Sequence, residues 1–301
     1  MELTELLACP SCGSSLTRID DAFACSGCEL TAPVVRGIPR FVGDEAYTES
    51  FGYQWSTFRT TQLDRDSDDE SAVTFREKTG INPLDLRGKR VLDVGCGMGR
   101  FAEVCARSGA QLIGVDLSNA VEPANENLGA FPDCHVIQAD IFDLPFAEET
   151  FDAIYSIGVL HHTPDTKEAF LRLPRLLKPG GQIAIWVYSA ERRDLLASGL
   201  KYTYRRVTPR LNHKMLLKLS RAAIPLYSIH TKPAIGFFSR KILPTSMHPD
   251  PEWRVLDTFD DYSPRYRWRH TYDEVLGWFA QAKMTEIEAL EPRVAVRGRK
   301  P

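Results

Sequence analysis

The 301-residue sequence has no apolar run approaching the ~20 residues that a membrane-spanning helix needs. Uncharged stretches such as Gly180 to Ala190 are much shorter. No signal-peptide pattern opens the chain, since Met1-Glu2-Leu3-Thr4-Glu5 is acidic and poor in apolar residues, so a cytoplasmic location is expected. Net charge is also scarce, at −3, which excludes a molecule built wholly as a polyanion binder. What is present is the ordinary balance of a globular protein: 43% hydrophobic and 26% charged residues exclude a disordered, collagen-like or coiled-coil chain. The length suits one or two domains.

Seven cysteines are too unevenly placed for a secreted disulfide framework. Cys9-Pro10-Ser11-Cys12 and Cys25-Ser26-Gly27-Cys28 are two C-x-x-C pairs twelve residues apart. Each pair presents two thiolates from one tight turn, and two such knuckles complete a tetrahedral, closed Zn²⁺ site with a structural role. Gly13 and Gly27 supply backbone freedom there. A redox C-x-x-C would need one pair beside a βαβ unit. Cys96, Cys105 and Cys134 are scattered and read as small buried hydrophobes. The knuckles run into Val34-Val35-Arg36-Gly37-Ile38-Pro39. This segment resembles the zinc ribbon of the activator subunit of tRNA methyltransferases, and the ribbons that precede the catalytic domain of large-subunit rRNA guanine methyltransferases.

Val91-Leu92-Asp93-Val94-Gly95-Cys96-Gly97-Met98-Gly99-Arg100 is a short apolar strand running into a glycine turn, with a helical pattern after it. A nicotinamide site would want a glycine at position 100, where Arg100 stands. The G-x-G-x-G spacing resembles motif I of class I S-adenosylmethionine-dependent methyltransferases. Four later segments agree with that family in order: Leu112 to Asp116, His135 to Asp140, Phe151 to Ser156, and Leu176 to Trp186 around Pro179-Gly180-Gly181. The resemblance implies an α/β, doubly wound, seven-stranded Rossmann-like sheet. It also implies a cofactor, S-adenosylmethionine, held by Asp93, Gly95, Cys96, Gly97 and Gly99, with Asp116 and Leu117 at the ribose, Asp140 and Ile141 at the adenine, and Ser156 at the end of the fourth strand.

The expected organisation is a ribbon over 1–42, a linker and cofactor lid over 43–80, and a core over 81–188. A mainly helical acceptor-binding insertion over 189–270 follows, and a closing helix and two strands over 271–301. Tyr53 and Trp55 are the lid candidates, with plain aromatic packing between ribbon and sheet as the competing reading. The acidic run Asp64 to Glu70 reads as a solvated connector. His161 and His162 sit where a general base for a hydroxyl or amine would be wanted. They read equally as loop-shaping residues, with Thr163 capping a helix that starts at Pro164. No Asn-Pro-Pro-Tyr or Asp-Pro-Pro-Tyr follows the fourth strand, which disfavours adenine-amine methylation.

Within the insertion, Arg192 to Lys241 carries twelve Lys and Arg against Asp194 alone, a local charge of +11 that leaves −14 for the remainder. This is either an anion-steering surface or a solvated face. Met215 to Tyr227 is amphipathic, with Leu216, Leu219 and Ala223 near helical spacing, and suits a membrane surface, a lipid-linked substrate, or a cover for the sheet or a dimer contact. Asp257 to Tyr266 reads as a polar loop, with Tyr262 and Arg265 as acceptor contacts. Its "YSPRY" segment and the later "VRGR" resemble those of bacterial zinc-ribbon methyltransferases. A small-molecule acceptor, whether a sugar, a lipid-linked intermediate or a natural product, is the expected partner. RNA is the second choice, and a pseudoenzyme platform the third. The oligomeric state is not legible.

Overall fold

In the computed structural model the described residues are 2–42, 48–64, 69–191 and 200–301. The first four strands, β1 (Leu16–Ile19), β2 (Ala22–Cys25), β3 (Thr31–Val35) and β4 (Ile38–Phe41), form an antiparallel meander. Then come β5 (Arg90–Val94), β6 (Gln111–Asp116), β7 (Cys134–Ala139), β8 (Phe151–Ile157) and β9 (Leu177–Trp186), all parallel, and the antiparallel pair β10 (Thr285–Leu290) and β11 (Ala295–Arg299). Together they make one sheet in the order β1-β2-β3-β4-β7-β6-β5-β8-β9-β11-β10.

The sheet therefore has eleven strands where the sequence reading gave seven. Strands β5 to β11 form the α/β part, and the N-terminal meander joins its edge instead of standing apart. The join is physical pairing: β4 runs parallel to β7, with Arg40 opposite Gln138 and Phe41 opposite Ala139. The extended chain at Leu7 also bridges Phe146. Leu6, Leu7, Leu16 and Phe23 are buried in the same apolar cluster as Ile113, Phe146 and Phe151.

Alternation along β5 explains the layering. Leu92 and Val94 enter the core that also takes in the meander, while Val91 enters the opposite core with Leu112 and Tyr155. Both faces are covered, as parallel strands require. Helix α1 is Glu49–Thr57, α2 Glu70–Thr79, α3 Arg100–Arg107, α4 Val121–Leu128 and α5 Thr166–Leu171. Chain order reverses direction across the sheet between β5 and β8, which opens a crevice at the carboxyl ends of these strands.

Ser189 and His270 are bridged to each other, with the Ala190 N–H donating to the His270 carbonyl at 2.8 Å. Between them lie α6 (Lys201–Tyr204), α7 (His213–Ser220), α8 (Ala223–His230), α9 (Pro233–Ile242) and α10 (Pro251–Tyr262). The amphipathic segment expected over 215–227 is two helices, α7 and α8. The buried face of α7 is Leu216, Leu217 and Ser220, which leaves Leu219 exposed on its flank, and Ala223 is buried at the start of α8. The stretch expected to be a loop at 257–266 is helical as far as Tyr262, because Asp250 caps α10 on the Trp253 N–H and Pro251 starts it.

Helix α11 (Tyr272–Gln281) opens with the capping box read from Thr271 and Glu274. Among the described residues, no helix is long and apolar enough to cross a membrane.

Because the meander and the α/β sheet share one core, Phe23→Ala should destabilise the whole molecule by about 3–5 kcal/mol. Unfolding followed by circular dichroism should remain a single transition. Two separated transitions would contradict the shared core.

Candidate functional site

The turn after β5 is shaped by contacts a side chain would forbid. Gly95 has φ +81°, and a Cβ there would stand 2.3 Å from the Val159 side chain. Gly97 has φ +54° and lies beneath the Trp55 indole, which a Cβ would meet at 3.1 Å. The backbone N–H groups of Gly95 and Cys96 donate to the Val115 carbonyl. The Gly97 N–H donates to Asp116 Oδ2 at 3.0 Å. Asp116 Oδ1 accepts from both the N–H and the hydroxyl of Ser118, at 2.8 and 2.7 Å. Burial raises the Asp116 pKa, and these three hydrogen bonds work against the rise.

A cavity of ≈ 230 Å³ opens at this point. Its floor is the glycine turn from Gly95 to Met98, with Asp116 and Leu117 after β6, Ala139 and Ile141 around the end of β7, and Ile157 to Val159 after β8. Its roof comes from Phe51, Gln54 and Trp55 of α1 and from Leu256, Asp257 and Asp260 of α10. Lys78, Arg100, His162, Trp186 and Tyr188 complete the wall.

Lys78, Asp257 and Asp260 in this wall are all perturbed. Lys78 Nζ sits 3.7 Å over the Trp186 ring, and burial together with the Arg100 charge lowers its pKa to about 8. Burial lifts Asp257 to about 7, although the Ser246 hydroxyl donates to it at 3.0 Å. Asp260 is raised by burial and by neighbouring Asp261, and it accepts from the Tyr188 hydroxyl at 3.2 Å. A concave site with several titratable groups moved toward neutral pH is the arrangement expected of a reaction chamber.

The expected site residues divide sharply. Gly95, Cys96, Gly97, Asp116, Leu117, Ile141, Trp55 and His162 line the cavity. Gly99 does not; it serves as the N-cap of α3. Asp140 stands between the lining residues Ala139 and Ile141 and accepts from the Phe142 N–H at 3.0 Å. Ser156 is fully buried, its hydroxyl tied to the Val94 carbonyl at 2.9 Å. Asp93 points into the core beside Tyr155, with one carboxylate oxygen unpartnered, and burial lifts it to about 8. Tyr53 packs on His213 and Phe259, because α1 leans on α10 and alternate aromatics face different neighbours.

The histidine pair also splits. His161 is fully buried against Tyr188, ring centroids 3.8 Å apart, with neither ring nitrogen partnered. It is kept neutral by burial, far from base chemistry. His162 Nδ1 lies 2.8 Å from the Tyr266 carbonyl. A carbonyl only accepts, so Nδ1 carries the proton and Nε2 keeps its lone pair. Burial depresses the His162 pKa to about 3. Thr163 does not cap α5: its hydroxyl returns to the Leu160 carbonyl, and Asp165 is the cap.

Tyr262 donates its hydroxyl to the Pro244 carbonyl and Arg265 is exposed over Tyr266, so neither of the expected acceptor contacts lines the cavity. Reading 257–266 as a loop hid Asp257 and Asp260, which share a helix face at i, i+3. The signal was present in Asp250-Pro251 followed by Trp253, Leu256 and Phe259 at helical spacing.

Away from the cavity, the four Sγ atoms of Cys9, Cys12, Cys25 and Cys28 lie within 4.8 Å of one another. Cys9–Cys28 and Cys12–Cys25 are 3.6 and 3.4 Å apart. Gly13 has φ +75°, whereas Gly27 is required because a Cβ would strike the Ser14 hydroxyl.

Residues 92–185 match the family described as a methyltransferase domain. The chain carries a methyltransferase domain. It coincides with the stretch from β5 to β9 that builds the cavity floor. Through this domain the chain is 38% identical over 111 residues to the mouse (Mus musculus) protein named "Probable tRNA methyltransferase 9B", covering 36% of this chain and 23% of that one. It is 29% identical over 169 residues to the Arabidopsis thaliana "24-methylenesterol C-methyltransferase 3", covering 52% and 47%. The chain thus spans less than half of the length of these curated relatives.

Among solved structures, a complex of the Haloferax volcanii Trm112 methyltransferase activator with a methyltransferase aligns with TM-score 0.47 and 16% identity over 84% of this chain and 98% of that one. The Haemonchus contortus phosphoethanolamine N-methyltransferase 1, solved with phosphoethanolamine and S-adenosylhomocysteine, aligns with TM-score 0.38 and 21% identity over 50% and 34%.

The buried Asp93 makes a pH prediction for the methyltransferase domain. Its folded pKa, about 8, lies above the ordinary carboxylate value of 3.8. Between these values the folded state holds the extra proton, so its contribution to stability is full at low pH and falls as pH rises. Asp93→Asn should remove this loss. The stability difference between variant and wild type, from urea titrations, should grow from pH 4 to 8 by on the order of 1.4 kcal/mol per pH unit. A difference independent of pH would show that the carboxyl ionises normally.

Proposed function

We propose that this protein is an S-adenosylmethionine-dependent methyltransferase acting on an oxygen or nitrogen of a small, lipid-linked or natural-product acceptor. The single observation that carries this reading is the cavity, because the glycine turn and Asp116 line it together with the buried carboxylates of α10. The residues present fit the cofactor. The absence of a Cβ at Gly97 lets the Trp55 indole close directly on the glycine turn, and Leu117, Ala139 and Ile141 offer apolar lining for a flat base.

When bound, S-adenosylmethionine supplies a sulfonium methyl that is already electrophilic. The protein's task is then to align the acceptor, exclude water and remove a proton. Asp116 is the ribose ligand of this reading, with a refinement. Oδ1 already accepts two hydrogen bonds and Oδ2 one, so one lone pair of Oδ2 remains for a hydroxyl. Engaging a second hydroxyl requires Ser118 to turn its side chain away. Asp140 is assigned to the adenine amino group.

At the acceptor end, Asp257 has a pKa of about 7, matched to proton removal near neutral pH, whereas His162 at about 3 is a weak base and serves to position. Tyr188 and Asp260 orient the acceptor through their shared hydrogen bond. The four cysteines hold a structural Zn²⁺. Tetrahedral thiolates at ~2.3 Å from zinc stand roughly 3.8 Å apart, close to the sulfur spacings present.

The relatives are named for both tRNA and sterol acceptors, so the acceptor is read from the cavity and not from them. Incubating the protein with methyl-labelled cofactor and a fractionated lysate should place label in a small or lipid-extractable molecule. Label in nuclease-sensitive material would overturn the small-molecule reading. With the labelled fraction as assay, turnover should rise with pH through about 7, and Asp257→Asn should lower it on the order of 10²-fold without changing cofactor affinity.

Asp116→Ala should weaken cofactor binding by calorimetry at least about 10-fold, a loss of about 1.4 kcal/mol, while leaving zinc content unchanged. Cys12→Ser should do the reverse.

A further inference from the structure

We propose that α9, with the adjoining end of α8, is a docking ridge for the surface of an anionic membrane. The first observation is a helix whose apolar stripe is left exposed among the described residues. Helix α9 exposes Ile235, Phe238 and Ile242, at i, i+3 and i+7, to 56%, 67% and 54%. Phe237 stands edge-on to Phe238 and is exposed as well. An apolar stripe at helical period normally faces a core. Here the buried position among the described residues of the helix is Gly236, pressed so closely on α8 that a Cβ would lie 2.2 Å from the His230 carbonyl. Leu243 and Ile229 extend the exposed apolar surface at either side.

The second observation is charge. Between residues 200 and 243 there are ten Lys or Arg and no Asp or Glu. Lys232 and Arg240 are exposed beside the stripe, and Lys214, Lys218 and Arg221 lie exposed on α7 and just after it. Apolar side chains flanked by cations on a short helix suit lipid: the rings enter the boundary between headgroups and acyl chains, while the ammonium and guanidinium groups meet phosphates. Phosphate contacts alone, as with RNA, would leave the exposed isoleucines and phenylalanines without a role.

The third observation is that the ridge is held firmly although it buries little. His230 is buried and bridges the two helices, its Nδ1 2.8 Å from the Ser239 hydroxyl and its Nε2 3.0 Å from the Leu243 carbonyl. The Tyr204 hydroxyl donates to the Ile242 carbonyl at 2.8 Å. A stripe this well fixed is preorganised for a partner.

Behind it, α8 packs on α10, the helix that supplies Asp257 and Asp260 to the cavity. Docking therefore brings the reaction chamber to within one helix layer of the lipid. The inference does not rest on the acceptor reading, since vesicle binding needs neither cofactor nor acceptor.

The test is sedimentation of the full-length protein with phosphatidylcholine vesicles containing roughly a third phosphatidylglycerol. Binding should be at least about 10-fold tighter than to pure phosphatidylcholine and should weaken with salt. The pair Phe237→Ser with Phe238→Ser, and separately Lys232→Glu with Arg240→Glu, should each lower it about 10-fold or more. In Phe238→Trp, brominated lipid should quench fluorescence beyond the wild-type level, which reads insertion directly without a loss-of-function variant.

Equal binding to both vesicle types, or no added quenching, would overturn the proposal. So would a wild-type dimer that dissociates on the double serine change, which would make the ridge a self-contact, or RNA binding that the serine changes leave untouched with no vesicle binding at all. Loss of vesicle binding with cofactor affinity intact separates this surface from the reaction site.

Discussion

The hydrogen bond from the Gly97 N–H to Asp116 Oδ2 ties the turn after β5 to the end of β6, and the site depends on it. It requires parallel strands in a fixed register, with Val94 opposite Val115, so that the chain leaves β5 just where β6 ends in an acid. It also requires backbone at position 97 that can approach both a carboxylate and the Trp55 indole. Ser118 fixes the other carboxylate oxygen, so Asp116 is held before any ligand arrives. Preorganised acceptors of this kind reduce the ordering cost of binding.

Helix α10 fixes the other side of the cavity by sorting its acids. Asp261 turns outward from the cavity and is gripped by Lys201 at 2.5 Å and Arg267 at 2.6 Å, which hold its pKa below the ordinary value. Asp260, next in sequence, turns to the cavity and is pushed the other way by burial and by Asp261 itself. Adjacent residues on a helix point in different directions, so one helix carries a permanently charged anchor and a titratable wall. Replacing either acid by the other's environment would lose one of these roles.

The floor of the site was legible because strand, glycine turn and strand-end acid are local patterns, and Gly95, Gly97, Asp116 and Ile141 all line the cavity. Asp93 and Ser156 do not line the cavity, for a reason that alternation supplies. They lie within strands, whose successive side chains face opposite sides, and pattern alone does not say which side meets the ligand. The roof was much less legible. Lys78, Gln54 and Asp260 come from three helices far apart in sequence, and their convergence depends on how α1, α2 and α10 pack. The union of the meander with the sheet was hidden for a similar reason: two residues of pairing between β4 and β7 join segments nearly a hundred residues apart.

That pairing has a consequence for the order in which the chain assembles. Strands β1 to β4 precede β7 in the chain and carry their own antiparallel ladder, but β4 must wait for β7, and Leu6, Leu7 and Phe23 must wait for Phe146 and Phe151. Loop closure over such a distance is slow compared with a hairpin. During synthesis the N-terminal ladder is therefore a nascent unit with an open edge and a bare apolar face, conditions under which a chain is prone to wrong partners. Held metal at the knuckles would stabilise the ladder itself in that interval, while the face remains uncovered until the distal strands arrive.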